Sequence, residues 1–583
     1  MLAKHLSNNP TTLVHAALGS LPVINPAVGF DATNKTIYLH DACSESNVAV
    51  ISGGGSGHEP SFAGFVGKGM LSGAVAGSIF ASPTADQVFR CLMRLGAENP
   101  QRGILVIIMN YTGDKLHFGM AVEKARAQGL KVAMVIVGDD VGVGRLRGGR
   151  IGRRGLAGTV LVQKIAGALA AKGADLAEVT KIASAVADNI ATVGASLAHV
   201  HVPGRAAAED ELDGNDEIEI GMGIHNEEGF SRVRQDLPGL VQALLKQLLD
   251  TTDKDRAFID IRAGERVVLM VNNLGGLSQL ELGAVTMEVS QQLGQRYHII
   301  PRRVLSATYM SSLNGLGFSI TLLKIVDDRF SELLDAPTEA TGWLPPAPAA
   351  NWDRAGQAGD DSSTSTITEH LEESPSNLLL NPALTQAILT KALNNVIAAE
   401  PEVTKYDTLV GDGDCGLCLK GGAEAVLAHI QSNAGVLGDA AQLVAAIARV
   451  VETSMDGTSG ALYAIFLNAL AHSLQRQARP APRPASAAVW GAALGGAMEA
   501  LSRYTPARPG DRTVVDALAP FVEVFAASGD LAMAVDAAQK GCESTKGMQA
   551  SLGRSVYVGG EEWKNCPDPG AYGLLLALRG FVE

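Results

Sequence analysis

Hydrophobic and polar positions follow two different rhythms along the chain. In the first half, short uninterrupted apolar runs end in turn residues. Val48 to Ile51 runs into Ser52-Gly53-Gly54-Gly55, Gly103 to Met109 ends at Asn110, and Lys131 to Val137 ends in Gly138-Asp139-Asp140. Runs of this length, rich in Ile, Val and Leu, predict strands buried on both faces, and Met120 to Ala127 between two of them reads as helix. Buried strands alternating with helices predict a mostly parallel sheet covered by helices, with ligands beyond the carboxyl ends of its strands. A second α/β section follows, with strands predicted at Arg266 to Val271, before Asn272-Asn273-Leu274-Gly275-Gly276, and at Gly317 to Ile325. From about Asn377 the rhythm changes to Ala and Leu at helical spacing, as in Leu384 to Ile397, Ala440 to Val451 and Ala487 to Leu501, which predicts an all-α domain. Between the two, from about Ala336 to Pro375, Pro345-Pro346-Ala347-Pro348 and Asp361-Ser362-Ser363-Thr364-Ser365-Thr366 predict a flexible interdomain linker.

Composition narrows the function classes. At 583 residues, 46% of them hydrophobic, the chain can build more than one core. A net charge of -14 argues against nucleic acid as a partner, because phosphate neutralisation needs a basic face. Six cysteines in this length do not form a disulfide framework, so a reducing compartment fits. No apolar run approaches the roughly 20 residues that span a bilayer, and no secretory leader follows Met1, so a cytoplasmic, membrane-free protein is expected.

Candidate chemistry sits at the turns. In Ser52 to Pro60 (SGGGSGHEP) the glycines allow close approach of backbone N–H groups to a ligand, and His58 adds a group that moves protons near neutral pH. A tight turn with a structural histidine is the competing reading. Asn110 to Asp114 (NYTGD) brings Asp114 to the same crevice, as a proton acceptor or as an ordinary helix-capping aspartate. His225, in Gly221 to Glu227 (GMGIHNE), suits a base, a metal ligand or a nucleophile. In the α domain, Asp407, Asp412 and Asp414 form D-x4-D-G-D. Carboxylates this close call for a hard cation. An EF-hand fails, because Ala423 stands where its twelfth-position glutamate belongs, so a phosphate-bridging Mg²⁺ site is the better reading. Gly457 to Gly460, Gly553-Arg554-Ser555 and Asp568 to Ala571 offer phosphate contacts. Cys415-Gly416-Leu417-Cys418 has no second pair for a zinc site and no βαβ context for a redox site, and Arg145 to Gly155 reads as a solvated basic loop.

Taken in order, these motifs resemble those of the single-chain, ATP-dependent dihydroxyacetone kinases: SGGGSGHEP, NYTGD and GIH in one half, then D-x4-GDGD, GTSG, GR-x-x-YVG and DPGA in the other. The resemblance implies a substrate half at 1–335, with α/β subdomains at about 1–190 and 191–335, a linker at 336–375, and a helical-barrel nucleotide domain at 376–583. It implies that His225 captures a carbonyl compound as a hemiaminal, that His58 and Asp114 act as acid/base residues, and that Gly55, Ser56 and Gly57 contact the substrate. Mg²⁺ is expected on Asp407, Asp412 and Asp414. ATP is expected against Gly413, Asp414, Cys415, Gly416, Thr458, Ser459, Arg554, Asp568, Pro569 and Gly570. The family tends to form homodimers. Met109 stands where it usually has lysine before NYTGD, which keeps a four-carbon ketose such as erythrulose open beside dihydroxyacetone and glyceraldehyde. A flavin adenine dinucleotide-cyclising lyase activity is a second alternative.

Overall fold

The computed structural model describes residues 4–43, 47–96, 99–206, 217–355, 375–552 and 561–582. The chain forms two compact units, Met1–Thr364 and Ser365–Glu583.

The first unit is built on two six-stranded sheets. The first contains β1 (Val28–Asp31), β2 (Thr36–Leu39), β3 (Ala49–Ser56), β4 (Gly73–Ile79), β5 (Ile104–Met109) and β6 (Val132–Val137), in the order β1-β2-β4-β3-β5-β6. Its β4-β3-β5-β6 core is parallel, as expected from β5, whose residues are buried on both faces. β3 does not stop at the glycines. It runs on through Ser56, with a bulge between Gly54 and Ser56, because pairing with β4 continues there. The helix Gly158–Ala171 is mostly apolar and buried on nearly every side, Thr159, Gln163 and Lys164 included.

The second sheet contains β7 (Ile190–Ser196), β8 (Ile218–Ile220), β9 (Ser231–Val233), β10 (Val267–Asn273), β11 (Arg303–Ala307) and β12 (Gly317–Lys324), in the order β11-β10-β12-β7-β8-β9. Only β10 and β11 pair in parallel; the other neighbours are antiparallel.

The expected linker begins too early. After the helix Arg329–Asp335 the chain returns to the first sheet's core, where Phe330, Leu333, Ala340 and Trp343 are buried. Gly342 N–H donates to Gly64 O at 2.8 Å, and the buried Lys164 ammonium donates to Leu333 O at 2.8 Å. Ala340 and Trp343 supply apolar area that outweighs the proline-rich composition around them. A further helix spans Ala349–Ala355. The rest of the expected linker, 356–374, lies outside the described residues.

The second unit is helical. Its helices, among the described residues, are Pro382–Ala398, Glu400–Val410, Cys415–Ser432, Ala440–Ser454, Gly457–Gln475, Ala487–Leu501, Val515–Ser528, Leu531–Ser544 and Pro569–Arg579. The three that the sequence predicts fall at their expected places. Leu443, Phe466, Trp490, Leu494, Phe521 and Leu574 come from different parts of this helical ring and line one apolar cavity of about 500 Å³, so the helices close into a barrel. Among the described residues, no helix is long and apolar enough to cross a membrane.

Candidate functional site

In the α/β unit, the carboxyl end of β3 and the turn after β5 meet the loop Gly221 to Glu227. His58 is wholly buried, and its Nδ1 lies 2.9 Å from Ser311 O. Its Nε2 lies 3.0 Å from His225 Nε2. On the far side of His225, Nδ1 lies 2.8 Å from Glu227 Oε1, and the His225 backbone N–H donates to Glu227 Oε2 at 2.9 Å.

These partners assign the protons. A carbonyl oxygen only accepts, so His58 carries its proton on Nδ1 and a lone pair on Nε2. Burial, joined by the charge of His225, pushes the His58 pKa down to about 3, which keeps it neutral. The Glu227 carboxyl is held down at about 2 despite burial, by hydrogen bonds and charge from His225 and by Arg154, so it too only accepts. In the Nε2–Nε2 contact His225 is therefore the donor.

Asp114 lies in the first turn of the helix Thr112–Ala127, where the helix dipole favours a carboxylate. Burial nevertheless pushes its pKa up to about 6, against the opposing hydrogen bond with Ser82 and the charge of His225. Its Oδ1 is buried without a hydrogen-bond partner, so one carboxylate oxygen keeps its full accepting capacity. Tyr111 and Phe80 frame His225, with ring centroids 4.8 and 5.2 Å away.

The glycine cluster is tied into the protein around it. Ser56 Oγ donates to Gly77 O at 2.9 Å, and the Gly57 N–H donates to the Glu59 carboxylate at 3.0 Å, so both groups bond within the protein. The glycines make room for neighbouring chain. A Cβ on Gly53 would lie 2.3 Å from Val75 O, on Gly54 2.8 Å from Phe62, and on Gly55 2.8 Å from Ala81 N.

Met109 is buried beneath Gly155, where a Cβ would come within 2.5 Å of Met109 Cβ, so its side chain belongs to the core. Cationic charge comes instead from the tract that reads as a solvated loop. Arg154 Nε donates to the buried Asp140 carboxylate at 2.7 Å and its Nη2 donates to Gly221 O at 2.7 Å. A Cβ on Gly223 would lie 2.0 Å from Glu227 Oε2 and 2.6 Å from Arg154 Nη1, so the bare glycine lets carboxylate and guanidinium face each other. Glu227, Arg154, Tyr111 and Phe80 are the residues that sequence reasoning missed. The acid two places after His225 was the one signal on offer.

In the helical unit, Asp407, Asp412 and Asp414 each bring one carboxylate oxygen within 4.8 Å of the others. The turn depends on glycine. Gly413 takes φ +81°, and a Cβ on Gly411 would lie 2.4 Å from Asp407 Oδ1. Asp407 Oδ2 accepts from the Cys415 N–H at 3.0 Å, which orients the carboxylate. Three such oxygens fit a hard divalent cation such as Mg²⁺.

Thr458 and Ser459 lie in the first turn of the helix Gly457–Gln475, and Ser459 Oγ is 3.8 Å from Cys415 Sγ. Asp568 caps the helix Pro569–Arg579 through the Ala571 N–H at 2.8 Å, which places Pro569 and Gly570 in that helix's first turn. Burial pushes Asp568 up to about 7, against the Ala571 bond and Arg512, while Asp516 and Asp407 add to the rise. The acidic loop thus shares its surroundings with helix N-termini, which attract anions. Gly416 has a packing role, since a Cβ there would lie 2.2 Å from Thr404 Oγ1. Burial pushes the Cys415 thiol up to about 12, so it is no reactive thiolate. Arg554 lies outside the described residues.

Comparison with known proteins places this arrangement in a class. The Dak1 domain matches residues 20–342 and the DAK2 domain residues 409–583. The chain is 43% identical to the dihydroxyacetone kinase of Pichia angusta, over 100% of this chain and 98% of that one. It is 44% identical to dihydroxyacetone kinase 2 of Saccharomyces cerevisiae, over 94% and 93%, and 36% identical to the triokinase/FMN cyclase of Homo sapiens, over 100% and 99%. Among solved structures it is similar to the dihydroxyacetone kinase from C. freundii in complex with AMP-PNP and Mg2+, with a TM-score of 0.62 and 30% identity over 99% of each chain. The chain belongs to the single-chain dihydroxyacetone kinase family.

Proposed function

We propose that this chain is an ATP-dependent kinase that transfers the γ-phosphoryl group of ATP to a hydroxyl of dihydroxyacetone, and of glyceraldehyde as a second substrate. The observation that carries the reading is the Glu227–His225–His58 chain of hydrogen bonds, with the buried, half-satisfied Asp114 carboxylate within the electrostatic reach of His225.

His225 passes its Nε2 proton to the neutral His58 Nε2. The freed lone pair adds to the carbonyl carbon, the C=O π bond opens, and its oxygen takes the proton back from His58. The product is a hemiaminal whose imidazolium charge faces Glu227. Asp114 then accepts the proton of the hydroxyl that attacks the γ-phosphorus, and ADP leaves. Covalent capture selects a carbonyl compound over glycerol, which has no electrophilic carbon. Asp407, Asp412 and Asp414 would hold Mg²⁺, which neutralises charge on the triphosphate when bound. The N–H groups of Thr458, Ser459 and Gly570 in the first turns of their helices, with those of Gly413 and Gly416, are the ones offered to phosphate oxygens. Burial of Met109 removes the ground for preferring a four-carbon ketose. The reading includes a homodimer, which sedimentation tests, and a cytoplasmic location, which cell fractionation tests.

A Mg·ATP consumption panel with dihydroxyacetone, glyceraldehyde, erythrulose and glycerol tests the function. Turnover with the first two and none with glycerol is expected; no turnover with any carbonyl compound defeats the reading. His225→Ala is expected to raise KM for dihydroxyacetone at least about tenfold, a loss of roughly 1.4 kcal/mol.

A further inference from the structure

Phe80 follows β4 and takes φ +59°, in the left-handed region that a bulky side chain enters only where its surroundings impose it. Three features impose it here. The Phe80 N–H donates to Ser56 O at 2.9 Å. A Cβ on Gly55 would lie 3.0 Å from Phe80 Cα, and a Cβ on Gly57 would lie 2.8 Å from Phe80 Cε1. Two glycines of the cluster after Ser52 are thus spaced to admit this one residue.

The unusual backbone places the ring. It stacks on His58 with centroids 5.2 Å apart and planes 16° apart, and meets His225 at 5.2 Å and 85°. Tyr111 meets His225 from another direction at 4.8 Å and 88°. Phe80 is only half-buried, so its ring covers the wholly buried His58 while part of it stays open at the surface. His58 is hydrogen-bonded at both Nδ1 and Nε2, and a ring stacked on its face keeps the imidazole from tilting out of line with either partner. An aromatic ring has few rotamers, and a backbone wedged between two glycines cannot retreat.

Resting on the function proposed above, we infer that Phe80 is a positioning and specificity-determining residue: its ring holds the two imidazoles with their Nε2 atoms joined, and forms a rigid wall that limits the captured carbonyl compound to three carbons. Size selection by a rigid wall is modest per added carbon, on the order of tenfold to a few hundredfold.

The test uses the full-length enzyme with saturating Mg·ATP and compares kcat and KM for dihydroxyacetone and for a four-carbon ketose. Phe80→Ala is expected to raise KM for dihydroxyacetone about tenfold and to lower the preference in kcat/KM for three carbons over four by about tenfold. Phe80→Tyr, which keeps the ring, is expected to retain both values. A preference unchanged within about twofold in a folded Phe80→Ala or Phe80→Leu variant overturns the inference. Loss of fold in both variants, read by circular dichroism, assigns the ring to stability alone and overturns it too. If the parent chain turns over neither ketose, the function itself has failed and this inference falls with it.

Discussion

At the scale of single residues, the proposed function makes Asp114 the group that sets the pH behaviour. Proton acceptance needs its carboxylate form, so kcat/KM should fall as pH drops through about 6, the value to which burial raises it. Asp114→Asn should lower kcat by about 10²-fold or more while leaving carbonyl capture intact. Stability moves the other way. The folded-state value lies above the ordinary 3.8, so the stabilising contribution is complete below about 3.8 and lost as pH rises through about 6. At pH 8 the Asn variant should therefore melt higher by about 2–4 °C, and at pH 3.5 the gain should vanish; calorimetry at the two pH values checks both. His58, Asp114 and His225 stood out in the sequence only as members of an ordered set of motifs, since each alone also reads as a structural residue. Phe80 did not, since an aromatic after a strand reads as core, and its role depends on a backbone angle that no local pattern announces.

At the scale of elements, the acidic turn between the helices Glu400–Val410 and Cys415–Ser432 behaves as one device. Asp412→Asn should abolish turnover, and chelation of Mg²⁺ should do the same, while ¹³C-labelled dihydroxyacetone still forms its adduct on His225. Loss of the adduct in that variant would reassign the loop to folding. Two residues on, Gly416→Ala should destabilise the helical unit by roughly 1–3 kcal/mol, because the new methyl meets the Thr404 hydroxyl and the Glu400 carbonyl; a melting curve reads it. The D-x4-D-G-D spacing made this turn legible, as apolar rhythm did for β5, β6, β10 and β12. The three-residue strands β8 and β9 are too short to register as a pattern, and the antiparallel pairing of β12 with β10 and β7 cannot be read from apolar runs at all.

At the scale of the molecule, two cores with separate ligands predict separable unfolding. Calorimetry should resolve two transitions. Dihydroxyacetone should raise one and Mg·ATP the other, each by about 2.7 kcal/mol at a hundredfold excess over Kd. A single transition that both ligands shift together would contradict independent units. The division into α/β and helical halves was plain from the change in hydrophobic rhythm. Where the first unit ends was not, because composition gave Pro337 to Trp343 the look of a tether, while two buried apolar side chains anchor that segment to the first sheet's core.

The crowding around β3 has a consequence for how this enzyme can change. A saturation library across Gly53, Gly54 and Gly55 should return almost nothing but the parental codons, although such flexible-looking turns are where engineers usually begin. New substrate preferences will have to be selected at the side chains that meet the imidazoles, Phe80 and Tyr111, and in the stretch that carries His225.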